Sequence, residues 1–281
     1  MPTIWFNGQF IDKGSLNIQT SNRSFLYGDG FFETVRLNKY KAVFFNRHYV
    51  RFIEAMTYLQ MEIPEHWSVV FLQKTLEELA RKNNLPNARI RMTVWRGGEG
   101  RYTPQSHYSE LLIEAFSLEN DFYKLNTKGL KSGWFEGSRR WADEGTFYKS
   151  ANAKIYTLAG MYAQSQGWDD IVIMNQYNRL ADALHSNVFI WLNNQWITPP
   201  ISEGCIDGVV RKVLIRQMIK WNMPLEIRPI ERNDFSQCEE VMLTNSIEGI
   251  QWVGLLEGKE YNNKISSMVL GKLNELLPIS I

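Results

Sequence analysis

The chain has 281 residues, 44% of them apolar and 22% charged, the make-up of a globular protein long enough for one large or two medium domains. Lys and Arg number 31 against 30 Asp and Glu, a net charge of +1, which excludes the basic footprint of a nucleic-acid or anionic-membrane binder. No apolar run approaches the roughly 20 residues of a membrane span, so no membrane partner is expected.

Along the chain, Ile4 to Ile11 alternates around Asn7-Gly8, which reads as a β-hairpin with a tight turn. No apolar h-region precedes that turn, so no signal peptide is expected, and the two cysteines, Cys205 and Cys238, add the expectation of a reducing cytoplasm. Asn46 to Met61 places Tyr49, Phe52, Ile53, Met56 and Leu59 at helical spacing. Ser68 is the expected N-cap of a second helix reaching about Asn83. Arg89 to Trp95 alternates Ile90, Met92 and Val94 with polar residues and predicts a strand, as does Glu110 to Phe116. The polar stretch Glu119 to Lys128 predicts a linker between a smaller domain, 1–118, and a larger one, 129–281. Beyond it, helical spacing returns over Ala151 to Gln164, and strands are predicted at Asp170 to Asn175 and Asn187 to Leu192. A helix is expected over Asp207 to Trp221, a strand over Glu240 to Thr244 and a closing helix over Ser266 to Leu277. Cys205 and Cys238 suggest reduced thiols and not a disulfide framework. There are no repeats or low-complexity tracts. Mixed strands and helices give an α+β class, with a cleft expected where the halves meet.

Several segments stand out by their chemistry. Lys149 lies in Tyr148-Lys149-Ser150-Ala151-Asn152, and the carboxylate Asp182 lies in Asp182-Ala183-Leu184-His185-Ser186-Asn187. Gly208-Val209-Val210 opens a predicted helix, whose first amides have no internal partners and whose dipole favours an anion. Leu243-Thr244-Asn245-Ser246 follows a predicted strand. Arg51, in His48-Tyr49-Val50-Arg51-Phe52, carries a guanidinium fork that suits phosphate oxygens. Taken singly, each has an ordinary alternative. These are a solvated lysine, a solvated arginine, a loop-to-helix junction and a strand-end turn.

As an ordered set these segments resemble the class IV aminotransferases, the fold-type IV pyridoxal phosphate enzymes. That family includes branched-chain and D-amino acid aminotransferases and aminodeoxychorismate lyases. The resemblance implies a two-domain α+β fold of the D-amino acid aminotransferase type, a homodimer, and pyridoxal 5'-phosphate as cofactor; no metal is expected. It implies that Lys149, matching Lys-Ser-x-Asn, carries the cofactor; Lys154, the nearest rival, lacks that match. Arg51, the amides of Val209 and Val210, and Asn245 with Ser246 match phosphate-binding positions.

Asp182 matches the carboxylate that faces the ring nitrogen, where most members place glutamate; the following Ser186-Asn187-Val188-Phe189 fixes that register. Leu184 and His185 replace residues that are small in relatives. Tyr27-Gly28-Asp29-Gly30-Phe31-Phe32-Glu33-Thr34 resembles a block that shapes the cleft and the dimer contact. Phe32 stands at a substrate position where D-amino acid aminotransferases often carry tyrosine. Arg101, in the glycine-rich loop Arg96 to Thr103, matches an arginine that catches substrate carboxylate, although Thr103 stands where a histidine assists. The activity so implied is transamination of a small or branched-chain amino acid. The alternative is 4-amino-4-deoxychorismate lyase, favoured by Phe32 and by the Thr244-Asn245-Ser246 pattern that ends at Gly249. A more remote alternative is a non-catalytic protein on the same scaffold.

Overall fold

The computed structural model describes residues 2–277. The chain forms two compact units. The first runs to Phe122 and also takes Tyr148–Asn152; the second comprises Tyr123–Phe147 and Ala153–Leu276.

The first unit contains β1 (Thr3–Phe6), β2 (Gln9–Asp12), α1 (Arg23–Tyr27), β3 (Gly30–Asn38), β4 (Lys41–Ala42), α2 (Phe45–Tyr58), α3 (Val69–Lys82), β5 (Ala88–Arg96) and β6 (Ser109–Ser117). Its strands form one antiparallel sheet in the order β2-β1-β6-β5-β3-β4. The predicted hairpin is present, with Asn7 at φ 44° and Gly8 at φ 97°, the left-handed pair that a two-residue turn requires. Ile90, Met92 and Val94 are buried as their alternation predicts, against Phe31, Val35 and the helices. Ser68 caps α3 by accepting the Phe71 amide at 3.2 Å. The buried stripe of α2 is Phe45, His48, Arg51, Phe52, Ala55 and Met56. It is rotated from the purely apolar stripe, so two polar residues face inward.

The second unit contains β7 (Leu130–Trp134), α4 (Lys154–Gln166), β8 (Asp170–Met174), β9 (Leu180–Ala183), β10 (Asn187–Leu192), β11 (Gln195–Thr198), α5 (Val209–Lys220), β12 (Leu225–Ile227), α6 (Arg232–Gln237), β13 (Glu240–Asn245), β14 (Gly249–Leu256), β15 (Lys259–Glu260) and α7 (Lys264–Asn274). Its sheet runs β12-β11-β10-β13-β14-β7-β8-β9, with β15 beside β14. Pairing is parallel at β11/β12, β14/β7 and β7/β8 and antiparallel elsewhere. One core lies around Trp134, Val172, Val188, Ile190, Phe235 and Leu243. A second packs α4 on β8 through Ala159, Ala163, Ile171 and Ile173. Cys205 and Cys238 are both free and buried, and burial pushes each thiol up to about 12.

The helix expected from Ala151 begins instead at Lys154. Residues before it are drawn into sheet pairing. The Phe32 amide donates to the Lys149 carbonyl at 2.9 Å, and the Ala151 amide donates to the Gly30 carbonyl at 2.9 Å. Those backbone groups are thereby spent on β3 and cannot start a helix. For the same reason Lys149, expected in the half 129–281, groups with the first unit.

Candidate active site

Lys149 is placed by that pairing. Ser150 faces Phe31 across an antiparallel bridge, so Lys149 stands opposite Phe32 and Tyr148 opposite Glu33. Facing residues share a side of the sheet. Tyr148 therefore points with Glu33 toward the helices, where its ring lies 5.5 Å from that of Tyr58. Lys149 points the other way, its Nζ 5.3 Å from the Phe32 ring centroid. Arg91, on β5, lays its guanidinium 3.9 Å from the same centroid. One aromatic ring thus carries two cations, and the Lys149 charge is also felt at the buried His48 of α2.

Arg51 is buried at 2% exposure, and its fork is engaged from within the same unit. Nε donates to Glu33 Oε1 at 2.6 Å and Nη2 to Glu33 Oε2 at 2.8 Å. His48 Nδ1 lies 2.8 Å from Glu33 Oε2. Burial lowers the His48 pKa, leaving a neutral ring that donates Nδ1–H. Burial by itself would raise Glu33, but the Arg51 charge and the hydrogen bonds from His48 and Arg51 bring it down to about 2. Glu33 is a structural partner that the sequence reading did not single out. Its signal was there: it occupies the apolar-facing phase of β3 between Phe31 and Val35, where a carboxylate needs a cation.

The glycine-rich loop after β5 is anchored. Arg23, 3% exposed, donates from Nη1 to the carbonyls of Gly100 and Arg101 at 2.9 and 2.7 Å. Its Nε donates to Asp29 Oδ2 at 2.8 Å, and Arg96 Nε donates to the same oxygen at 3.0 Å. Arg101 itself is exposed. A cavity of about 290 Å³ is lined by Arg23, Tyr27, Asp29, Arg96, Tyr102 and Pro104. Neither Lys149 nor Arg101 is among its lining residues.

In the second unit the structure gathers Asp182, the start of α5 and the end of β13 around Asn187. Asp182, 2% exposed on β9, accepts from Asn187 Nδ2 at 3.1 Å, from Tyr156 Oη at 3.1 Å and from the Ile206 amide at 3.1 Å. The other proton of the Asn187 amide goes to the Ile206 carbonyl at 2.7 Å. Asn187 also pairs with Thr244 across β10 and β13. Gly208 lies so close that a Cβ on it would stand 1.8 Å from Asn187 Oδ1.

Gly208 is the N-cap of α5, and no side chain caps that end. The first-turn amides of Val209 and Val210 thus face no capping oxygen, and both residues are buried. Thr244 Oγ1 is buried without a protein partner. Asn245 donates to Ser186 Oγ at 3.1 Å and accepts the Ile247 and Glu248 amides at 2.9 and 2.8 Å. Ser246 offers its carbonyl to the Tyr123 hydroxyl at 3.2 Å. An uncapped helix start and an orphaned hydroxyl, both adjoining Asn187, are groups that a phosphate would satisfy. The residues present fit a phosphate-bearing cofactor. His185 and Leu184 flank the turn after β9; the Leu184 amide donates to Asp170 at 3.0 Å. Among the described residues no cluster of three His, Cys, Asp or Glu could hold a metal ion, and no helix is long and apolar enough to cross a membrane.

Comparison with known proteins agrees across the whole chain. The family described as amino-transferase class IV matches residues 30–255. A D-alanine aminotransferase from Staphylococcus haemolyticus is 24% identical over 98% of this chain and 96% of its own. An aminodeoxychorismate lyase from Bacillus subtilis is 26% identical over 87% of this chain and 83% of its own. The solved structure of the Escherichia coli branched-chain amino acid aminotransferase superposes with a TM-score of 0.88 at 20% identity, covering 98% of this chain and 94% of that one.

Proposed function

The chain belongs to the class IV aminotransferase family, and from that premise we propose that it transfers the amino group of a small or branched-chain amino acid, using pyridoxal 5'-phosphate. The family depends on that cofactor in general. When bound, it supplies an electron sink for charge developing at the substrate α-carbon.

The remaining work falls to this chain. Lys149 Nζ would hold the cofactor and, as a neutral amine within hydrogen-bond reach, would take the substrate α-proton as general base. Asp182 would hold a proton at the ring nitrogen. The Val209 and Val210 amides, Asn245, Ser246 and Arg51 would hold the phosphate. Phe32 walls the substrate position beside Lys149, and Arg101 receives the substrate carboxylate. A homodimer is proposed by family resemblance.

The observation that carries this reading is the delivery of Lys149. Backbone bonds to Gly30 and Phe32 fix the segment, and strand alternation sends the amine to the face of Phe32. Lys154, by contrast, is an exposed first residue of α4. Borohydride reduction of the cofactor-loaded protein followed by peptide mapping is expected to label Lys149, and Lys149→Ala is expected to remove the label. A label on Lys154 would overturn the assignment.

The pattern ending at Gly249 that resembles lyases has a structural account. Asn245 Oδ1 closes the turn on two amides. Gly249 sits at φ 72°, where a Cβ would stand 2.3 Å from the Tyr123 ring. These demands explain the residues without reference to substrate, so the aminotransferase reading stands first. An assay that follows keto acid and 4-aminobenzoate in parallel decides: keto acid supports transamination, and 4-aminobenzoate with pyruvate transfers the protein to the lyases. A purified protein that stays colourless after loading would return it to a non-catalytic role.

A further inference from the structure

Asp182 departs from the glutamate usual in this family, and a carboxylate one methylene short must be held in some other way. The structure shows what holds it. Tyr156, on the first turn of α4, donates its hydroxyl to Asp182 Oδ2 at 3.1 Å. The ring itself is fixed. It packs against the core of Phe135, Ala159, Ile171 and Ile173, and the Arg140 guanidinium lies 4.9 Å from its centroid. Arg140 is in turn tied to the carbonyls of Gly204 and Thr146. The phenol is therefore an aimed donor with little freedom to turn away.

We propose that Tyr156 is a positioning residue for Asp182, fixing its short carboxylate in the orientation and ionised state that keep a cofactor ring nitrogen protonated. This rests on the assignment of Asp182 to that nitrogen. Burial, and then the Asp182 charge, push the Tyr156 hydroxyl well above its usual range, so it remains a donor at any working pH. A hydrogen bond from a neutral donor to a buried carboxylate favours the charged form. Without it the charged form of the carboxylate loses a donor that favours it. Asn187 and the Ile206 amide also donate to Asp182. Asn187, on β10, bonds Oδ1, whereas the Ile206 amide, before α5, shares Oδ2 with the Tyr156 hydroxyl, so Tyr156 is the one side chain of the three that fixes that second oxygen.

The size relation makes the idea testable. Asp with Tyr and Glu with Phe differ by one methylene exchanged for one oxygen, a nearly volume-conserving swap.

The experiment loads the protein with pyridoxal phosphate labelled with ¹⁵N in the ring and reads the nitrogen chemical shift, which reports its protonation directly and without turnover. Borohydride trapping at Lys149 checks that the cofactor is bound in each variant. The expected result is an upfield, protonated signal in the parent protein, its loss in Tyr156→Phe, and its return in the double variant Tyr156→Phe with Asp182→Glu. A protonated signal unchanged in Tyr156→Phe overturns the proposal, and so does a signal lost in Tyr156→Phe that the double variant fails to restore. Asp182→Asn separates the two levels. If it moves the signal while Tyr156→Phe does not, only Tyr156 is misassigned. If Asp182→Asn leaves the signal in place, the assignment of Asp182 falls and this inference with it.

Discussion

At the scale of single residues, Arg51 has a structural duty besides the phosphate contact proposed for it. Its guanidinium neutralises Glu33 inside the first unit. Removing one partner of a buried pair leaves the other charged in a medium that cannot solvate it, a cost of about 3–5 kcal/mol. Arg51→Ala is therefore expected to lower the urea midpoint sharply as well as weaken cofactor binding about ten- to a hundred-fold. Arg51→Lys should recover only part of either, since an ammonium cannot reproduce the fork. An unchanged urea midpoint in Arg51→Ala would show that Glu33 does not depend on it.

Two buried carboxyls also give opposite pH signatures. Glu33 is lowered to about 2 from 4.5, so its favourable contribution is complete above pH 4.5 and is lost as pH falls toward 2. Asp170 is raised by burial to about 6 from 3.8, against the pull of its hydrogen bonds from Leu184 and Ile171. Its ionisation therefore costs stability above pH 6, and that cost vanishes below 3.8. Asp170→Asn mimics the protonated form and is expected to raise unfolding free energy by up to about 3 kcal/mol at neutral pH, with little change in acid. Equal effects at both pH values in denaturant titrations would rule out this account.

At the scale of elements, the edge of β3 decides where Lys149 goes. β4 covers only Leu37 and Asn38 of that edge, so the amides and carbonyls near Gly30 and Phe32 remain for residues 149–151 to occupy. Ala151→Pro removes one of the two donors. It is expected to raise hydrogen exchange at Phe32 and to reduce borohydride labelling of Lys149 while leaving the distant helices protected. Retained labelling would mean that the bridge is incidental.

The start of α5 is the second such junction. Gly208 has φ −65°, so the glycine is needed for space and not for backbone freedom. In Gly208→Ala the new methyl meets Asn187 Oδ1, which cannot yield without releasing Asp182 and Ile206. Cofactor affinity and melting temperature are both expected to fall, and a tight-binding Gly208→Ala protein would show that the α5 start does not hold the phosphate.

At the scale of the whole molecule, the proposed homodimer can be tested on an exposed apolar run. Phe25 and Leu26 are 79% and 50% exposed on α1, and the Tyr27 ring lies 5.8 Å from that of Tyr102, which is 92% exposed. Phe25→Asp is expected to shift the mass in sedimentation from twice the 32.9 kDa chain to the single chain. A parent protein that already sediments at 32.9 kDa would remove the dimer from the proposal.

Much of the architecture was legible beforehand because it is local. Alternation at Ile90, Met92 and Val94, the Ser68 cap and the Asn7-Gly8 turn each act over a few residues, and each formed as the pattern required. The order of Lys149, Asp182, Gly208 and Asn245 was readable for the same reason, being a property of the chain alone. What the sequence left open is which groups meet across long separations. Nothing near Lys149 announces that β3 will claim its backbone, nothing near Arg51 that Glu33 will take its fork, and nothing near Asp182 that Tyr156 will reach it from another element. Those contacts depend on strand register and on how each helix is turned over its sheet, and both are settled only when the core packs.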